Sequence, residues 1–253
     1  MKKSSKRIVT SVLLGAGILG TSVLLATRAA ADGSGHEVVP VELVLLVDTS
    51  GSVNSTEYLL QKQGYEAAFR NSDLTQVIET QGGIAVTYVE WSNADHQAVR
   101  IDWTRLDTSA DCWAFANQIA DISREIEGET MLAPALEFAA QSILSNDYVG
   151  MKRVIDVSGD GRGENYDYYL TNTGMSAYHG RPWDDVLSDM AGAVQQVNGI
   201  CITADSDVVD FYRDVLPQGH DAFMMQVNTF GEFEDAILEK LIREIGDLPG
   251  LYD

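Results

Sequence analysis

Short apolar runs alternate with amphipathic stretches along most of the chain after residue 40. The short runs predict strands at Val41–Val47, Ile84–Glu90, Ala98–Trp103, Arg153–Val157, Gly199–Thr203 and Ala222–Val227. The longer stretches predict helices at Thr56–Arg70, Ala110–Ile122, Leu132–Leu144, Asp184–Val197 and Phe230–Ile245. This alternation indicates an α/β fold, with a doubly wound, mostly parallel six-stranded sheet of Rossmann-like type and helices on both of its faces.

The beginning of the chain has the parts of a secretory signal peptide. Met1–Arg7 is basic, Ile8–Ala26 is apolar, and three alanines follow as a cleavage site. The apolar part is also long enough to act as an uncleaved membrane anchor, and this alternative stays open. We therefore expect a signal peptide at 1–31, a linker at 32–40 and one domain at 41–253, exported to the periplasm or the cell exterior.

The balance of charge restricts the possible partners. The 253 residues carry a formal net charge of −21, and without the five basic residues of the signal segment 12 basic residues face 38 acidic ones, a net charge of −26. Such a surface repels phosphate groups, so nucleic acid and anionic lipid are not expected partners. The same charge attracts cations, although it also serves ordinary solubility.

Two cysteines, Cys112 and Cys201, lie far apart in the sequence. Export permits a disulfide bond. Because such a bond needs a specific geometry, we favour two small buried side chains and keep the bond as the alternative.

Polar residues that could bind a metal follow the ends of two predicted strands. Asp48, Ser50 and Ser52 follow the first strand in a D-x-S-x-S pattern, Asp160 follows the fourth in a Gly-Asp-Gly turn, and Thr130 precedes the third helix. Ligands of open α/β sheets bind beyond the carboxyl ends of the strands, so we expect these residues to converge. Carboxylate and hydroxyl oxygens suit Mg²⁺, Mn²⁺ or Ca²⁺. A D-x-S-x-S pattern alone could also be a simple helix N-cap.

Taken together, these residues resemble the metal-ion-dependent adhesion site (MIDAS) of von Willebrand factor A (vWA) domains. Gly64–Ala68, Ile84–Ser92 and Arg153–Gly161 are similar to segments of an exported bacterial branch of that superfamily without an assigned function. The resemblance covers roughly Val41–Gly246, and the motifs are specific in combination.

The resemblance implies roles for the five residues. Ser50 and Ser52 would ligate a divalent cation directly, most simply Mg²⁺, and Thr130 directly or through water. Asp48 and Asp160 would act largely through water. The resemblance also implies a protein partner, with an acidic side chain that completes the coordination of the cation.

Some positions depart from this pattern or stand outside it. The loop that carries Thr130, here called the threonine loop, reads Gly128-Glu129-Thr130. The negative charge of Glu129 leaves open which metal would bind. Glu90 ends the second strand, where we expect a cap or a local ion pair. Asp156 lies within a strand, where a charge is costly without a partner, and the sequence does not show which residue that is.

Other classes of function have less support. The sequence contains no G-x-S-x-G elbow, P-loop or H-E-x-x-H motif, so we expect a binding protein and not an enzyme. A metal-dependent hydrolase remains an alternative, in which Arg162 or His179 would have to act. A structural or solute-binding protein that the metal stabilises is a second alternative.

The long loop Gly161–Trp183 offers candidate partner-binding residues. It is longer than connections of this type usually are, and it carries four tyrosines, Tyr166, Tyr168, Tyr169 and Tyr178. Tyrosines are common on binding surfaces. They could equally pack the loop onto its own domain, and the sequence leaves both possibilities open.

Overall fold

A central sheet and its flanking helices make up the part of the chain that the computed structural model describes, residues 35–125, 127–161, 183–214 and 216–247. The strands are β1 (Glu37–Asp48), β2 (Ile84–Trp91), β3 (Gln97–Leu106), β4 (Tyr148–Gly159), β5 (Gln196–Ile202) and β6 (Met224–Val227). The helices are α1 (Ser55–Arg70), α2 (Ser72–Gln81), α3 (Ser109–Asp121), α4 (Leu132–Ser145), α5 (Trp183–Ala193), α6 (Ser206–Asp214) and α7 (Phe233–Gly246), with a 3₁₀ turn at Phe230–Glu232.

The six strands form one sheet in the order β3-β2-β1-β4-β5-β6. All neighbours are parallel except β2 and β3, which run antiparallel. The chain builds outward from β1 first in one direction and then in the other, so the strand order reverses between β1 and β4. This confirms the predicted doubly wound, mostly parallel α/β sheet.

Alternate residues of β1 enter two separate cores. Leu43 and Leu45 face a core built with α1, α2, α3 and α7, while Val44 and Leu46 face a core built with α4, α5 and α6. Because both faces are covered, every residue from Val41 to Ser50 is buried. The continuous apolar run of the sequence follows from this burial.

The start of α1 is fixed by a capping box. The side chain of Asn54 accepts hydrogen bonds from the backbone N–H groups of Thr56 and Glu57, and the Glu57 carboxylate accepts one from the Asn54 N–H. These bonds satisfy donors that a helix end otherwise leaves unpaired. The capping box orients the loop between β1 and α1.

Some boundaries differ from those that the sequence predicts. β1 begins at Glu37, so the last four residues of the expected 32–40 linker belong to the sheet, where Glu37–Val39 pair with β4. Pro40 interrupts this pairing because it has no N–H to donate. The helix expected to reach Val197 ends at Ala193, since Gln196 already pairs with β4.

Two helices, α2 and α6, were not predicted at all. The α2 sequence contains several β-branched residues of low helix propensity, and it is held by the buried residues Leu74, Thr75 and Ile78. In α6 the buried residues are Val208, Phe211 and Tyr212, the spacing of one helix face.

The partner of Asp156 comes from the far end of the chain. Lys240 of α7 places its Nζ 2.5 Å from Asp156 Oδ1 and 2.5 Å from Glu244 Oε1, and all three side chains are fully buried. Glu244 Oε1 also accepts a hydrogen bond from Asn198 Nδ2, at 2.8 Å. Burial and the neighbouring charge of Asp156 together raise the pKa of Glu244 to about 7.

Both cysteines are free and buried, Cys112 on α3 and Cys201 on β5. Among the described residues, no helix is long and apolar enough to cross a membrane. The expected signal peptide, 1–31, and the four tyrosines of the long loop lie outside the described residues.

Candidate metal centre

The candidate centre lies at the carboxyl edge of the sheet, where the strand order reverses. β1 ends at Asp48 and the neighbouring β4 ends at Gly159, and the two strands are in register with Val47 opposite Ser158. Asp48 and Asp160 therefore leave the sheet side by side. The crevice that sequence reasoning placed here exists because parallel neighbours end at the same edge.

Hydrogen bonds connect four of the five predicted residues. Asp48 Oδ1 accepts from the Ser50 N–H at 2.8 Å, and the hydroxyls of Ser50 and Ser52 lie 3.0 Å apart. The Ser52 hydroxyl donates to Asp160 Oδ1 at 2.6 Å. Asp48 and Ser50 are buried, Asp160 is half-buried and Ser52 is exposed. The group thus runs from the protein interior to the surface.

The fifth residue, Thr130, lies against the Gly-Asp-Gly turn. A Cβ atom placed on Gly161 would be 3.2 Å from the Thr130 Oγ1. The loop that carries Thr130 is tied to the first loop by a hydrogen bond from the Gly51 N–H to the Gly128 carbonyl, at 2.7 Å. The structure therefore brings all five predicted residues together. Their role as metal ligands remains a prediction.

The electrostatics of the centre favour a bound cation. Burial, together with the nearby charge of Asp160, raises the pKa of Asp48 to about 7. Burial also raises the pKa of Asp160, against the lowering effect of its bond from Ser52. Two carboxylates in one partly buried space repel each other, and a cation between them removes this cost.

One buried oxygen gives a direct test of the fit. Asp48 Oδ2 accepts no hydrogen bond from any residue that the structure describes, although Asp48 is fully buried. Buried polar atoms without a partner are uncommon in proteins. A cation, or water bound to a cation, would supply the missing partner, so the residues fit such an ion.

The chemistry of the donors narrows the class of metal. Two carboxylates and three hydroxyls are hard oxygen donors, which suit Mg²⁺, Mn²⁺ and Ca²⁺. Among the described residues no three His, Cys, Asp or Glu side chains cluster in a way that could hold a metal. The site thus depends on hydroxyl oxygens beside its two carboxylates.

Sequence reasoning missed two side chains that support the centre. Arg124 Nη2 donates to the carbonyl oxygens of Thr49 and Ser50, at 2.8 and 3.0 Å, and its guanidinium lies 5.5 Å from the centre of the Tyr58 ring. Gln61 Nε2 donates to the Asp48 carbonyl at 2.9 Å. Both act on main-chain atoms, for which the sequence carries no signal.

The ion pair expected at Glu90 is present beside the centre. Glu90 Oε1 accepts from the Tyr58 hydroxyl at 2.6 Å, and Glu90 Oε2 lies 3.0 Å from Arg100 Nη1. Burial raises the pKa of Glu90, and these two partners oppose the increase. Glu129 is exposed on the threonine loop.

Solved structures with the same fold include several vWA proteins. A von Willebrand factor type A structure from Catenulispora acidiphila aligns with a TM-score of 0.54 and 13% identity, over 83% of this chain and 43% of that one. Proximal thread matrix protein 1 from the mussel byssus, with a zinc-occupied MIDAS motif, aligns with a TM-score of 0.53 and 13% identity, over 81% and 45%. The pilus adhesin SpaC of Lactobacillus rhamnosus GG aligns with a TM-score of 0.53 and 12% identity, over 82% and 30%.

These similarities concern the fold, and the chain spans less than half the length of each of the three proteins. Among curated proteins, none matches the chain in sequence. A family model described as "Protein of unknown function (DUF1194)" matches residues 38–249, which is most of the chain. The chain has the vWA fold and belongs to the DUF1194 family.

Proposed function

We propose that this protein is a metal-dependent protein-binding module. Asp48, Ser50, Ser52, Thr130 and Asp160 would hold a divalent cation, most simply Mg²⁺, at the carboxyl edge of the sheet. An acidic side chain of a partner protein would complete the coordination. The observation that carries the proposal is the buried Asp48 Oδ2, which lacks a partner among the described residues in the middle of an oxygen-rich cluster.

The types of ligand explain why such a site would attract a carboxylate. The hydroxyls of Ser50, Ser52 and Thr130 are neutral, so a cation that they bind directly keeps most of its charge. A cation held in this way attracts an anionic oxygen from outside the protein. The exposed position of Ser52 leaves one side of the centre open to a partner.

Structural neighbours support the general class of function. One neighbour carries zinc in a MIDAS motif, and another is a pilus adhesin. By analogy, we propose adhesion or protein interaction for this chain. We favour Mg²⁺ over zinc because zinc sites in proteins are usually built from histidine and cysteine, whereas this set is all oxygen.

We propose binding without catalysis. The guanidinium of Arg124 is the basic group beside the centre among the described residues, and it is engaged by two backbone carbonyls. The hydrolase alternative relies on Arg162 or His179, and both lie outside the described residues.

We also propose that the protein acts outside the cytoplasm, after removal of residues 1–31.

The long loop 161–183, which carries four tyrosines, would select the partner. Replacing residues 164–179 by a short Gly/Ser linker tests this role of the loop. A loop that selects partners should be needed for partner capture but not for metal affinity or the melting temperature. Loss of the fold or of metal binding would show a structural loop.

Titration calorimetry with Mg²⁺ and Mn²⁺ tests the metal site. We expect one site in the wild type and no detectable binding in Asp48→Asn, because the variant loses a carboxylate charge at the centre. Asp102→Asn is the matched control, since Asp102 is exposed in the middle of the edge strand β3. Equal binding by the wild type and Asp48→Asn would contradict the assignment.

Capture of partners from the exported protein fraction tests the function. The wild type should retain partner proteins when Mg²⁺ is present and release them on addition of a chelator. Asp48→Asn should retain none under either condition. If the same partner proteins are retained with the chelator present and by Asp48→Asn, binding does not depend on the metal and the proposal is overturned.

A further inference from the structure

The hydroxyl of Tyr212 is a second buried polar group at the metal centre without a partner. Tyr212 lies on α6, is fully buried, and its hydroxyl makes no hydrogen bond with any residue that the structure describes. Native proteins rarely leave such a group unpaired, so each case calls for an explanation.

Gly159 shows that this hydroxyl faces Asp48. A Cβ atom placed on Gly159 would be 2.6 Å from the Tyr212 hydroxyl and 2.8 Å from Asp48 Oδ2. The two oxygens therefore border the same small space beside Gly159, no further apart than these two distances combined. Any side chain at position 159 would fill this space, so the glycine keeps it open.

The two groups have complementary chemistry. An ionised carboxylate oxygen can only accept a hydrogen bond, while a tyrosine hydroxyl can donate one. Asp48 Oδ2 lacks a donor, and the Tyr212 hydroxyl lacks an acceptor. A hydrogen bond between them, directly or through one water molecule, gives the hydroxyl its acceptor and uses one of the two lone pairs of Asp48 Oδ2, which leaves the other lone pair for the cation or its water.

We propose that Tyr212 is a positioning residue of the metal centre. Its hydroxyl donates to Asp48 Oδ2 and holds the carboxylate in the orientation that the cation requires. This inference rests on the proposed metal-binding function. It also assigns a role to α6, a helix that the sequence analysis did not identify.

The ring of Tyr212 is well placed to hold its hydroxyl still. A Cβ atom on Gly199 of β5 would be 2.9 Å from Tyr212 Cδ1, so the ring lies directly on the sheet. The Phe211 ring packs against it edge to face, with ring centres 5.8 Å apart. A donor held this firmly restricts the rotation of the Asp48 carboxylate. Groups that orient metal ligands in this way commonly change metal affinity by about 10–100-fold.

Tyr212→Phe tests the proposal, because it removes the oxygen and keeps the ring. We expect Mg²⁺ and Mn²⁺ affinity to fall about 10-fold in calorimetry. The melting temperature of the metal-free protein should stay the same or rise, since an unpaired buried hydroxyl is lost. The electron paramagnetic resonance signal of bound Mn²⁺ should broaden as the site becomes less ordered.

Tyr88→Phe is the matched control. Tyr88 is also fully buried, and its hydroxyl also has no partner among the described residues, but it lies in the core on the opposite face of the sheet. The chemical change is the same, so Tyr88→Phe should bind metal like the wild type. Gly159→Ala is a second variant, and it should weaken metal binding at least as much as Tyr212→Phe.

Each outcome decides between the two proposals. Weaker binding in Tyr212→Phe alone supports the role of Tyr212. Unchanged affinity in Tyr212→Phe, with normal binding by the wild type, overturns this inference and leaves the metal site intact. An equal loss in both phenylalanine variants also overturns it. Absence of binding in the wild type and in Tyr88→Phe overturns the proposed function together with this inference.

Discussion

Replacing Glu244 by glutamine is expected to make the protein more stable at alkaline pH and to change its stability little in acid. Glu244 and Asp156 share the single ammonium group of Lys240 in the sheet–α7 interface. One oxygen of each carboxylate, Glu244 Oε2 and Asp156 Oδ2, has no hydrogen-bond partner among the described residues. Two buried negative charges thus meet one positive charge.

The pKa of Glu244 gives the size of the effect. Burial and the charge of Asp156 raise it from 4.5 to about 7. Below about pH 4.5 the carboxyl group is protonated in the folded and unfolded states, so its full contribution to stability is present. That contribution is lost as the pH rises through 7, and at about 1.4 kcal/mol per pKa unit the loss is about 3 kcal/mol. Glutamine does not ionise, so the variant avoids this loss.

Urea unfolding between about pH 4.5 and pH 8, with a chelator present, measures the effect. The difference in unfolding free energy between variant and wild type should shift by about 3 kcal/mol in favour of Glu244→Gln across this range. Glu239→Gln is the matched control, because Glu239 lies exposed on the same helix. A difference that does not change with pH would refute the reasoning, as would a glutamine variant that is less stable at pH 8.

Other expected outcomes concern the first helix and the metal centre. Asn54→Ala should cost about 1 kcal/mol in thermal unfolding, because its side chain caps two backbone N–H groups of α1, and an unchanged melting temperature would contradict this. Arg124→Met should weaken Mg²⁺ binding about 10-fold in calorimetry, because the loop carbonyls lose their donor. Mg²⁺ affinity should also fall as the pH drops below about 7, since burial and a neighbouring carboxylate raise the pKa of Asp48 to about that value and protons then compete with the cation.

The sequence predicts the fold well where apolar patterns are strong. Burial on both faces makes Leu43–Val47 of β1 a continuous apolar run and leaves a shorter apolar pattern in β4, so both strands can be located. The helix α6 is short, but Val208, Phe211 and Tyr212 stand at positions i, i+3 and i+4, which is the apolar spacing of a helix. The helix α2 carries the same spacing in Leu74, Val77 and Ile78, but its polar and β-branched residues have low helix propensity and weaken the signal.

The candidate centre could be predicted only in part. Four of its five residues lie at or just beyond the end of a strand, and Thr130 lies just before a helix. Ligands of open α/β sheets bind at this edge, so the five positions could be recognised. The supporting residues could not be identified from the sequence. Arg124 donates to backbone carbonyl oxygens, and the Tyr212 hydroxyl comes near Asp48 only because Gly159 has no side chain. The partner of Asp156 lies 84 residues away on the last helix, and no pattern in the sequence connects them.

The two thiols have a consequence for folding in an oxidising compartment. Cys112 and Cys201 belong to separate cores on opposite faces of the sheet. The sheet itself stands between them, so they cannot approach to the distance of a disulfide bond while it is intact. A bond between them therefore marks a chain that was oxidised before its sheet had closed. For a protein that is exported as proposed, counting free thiols would then measure how often the chain folds before it is oxidised.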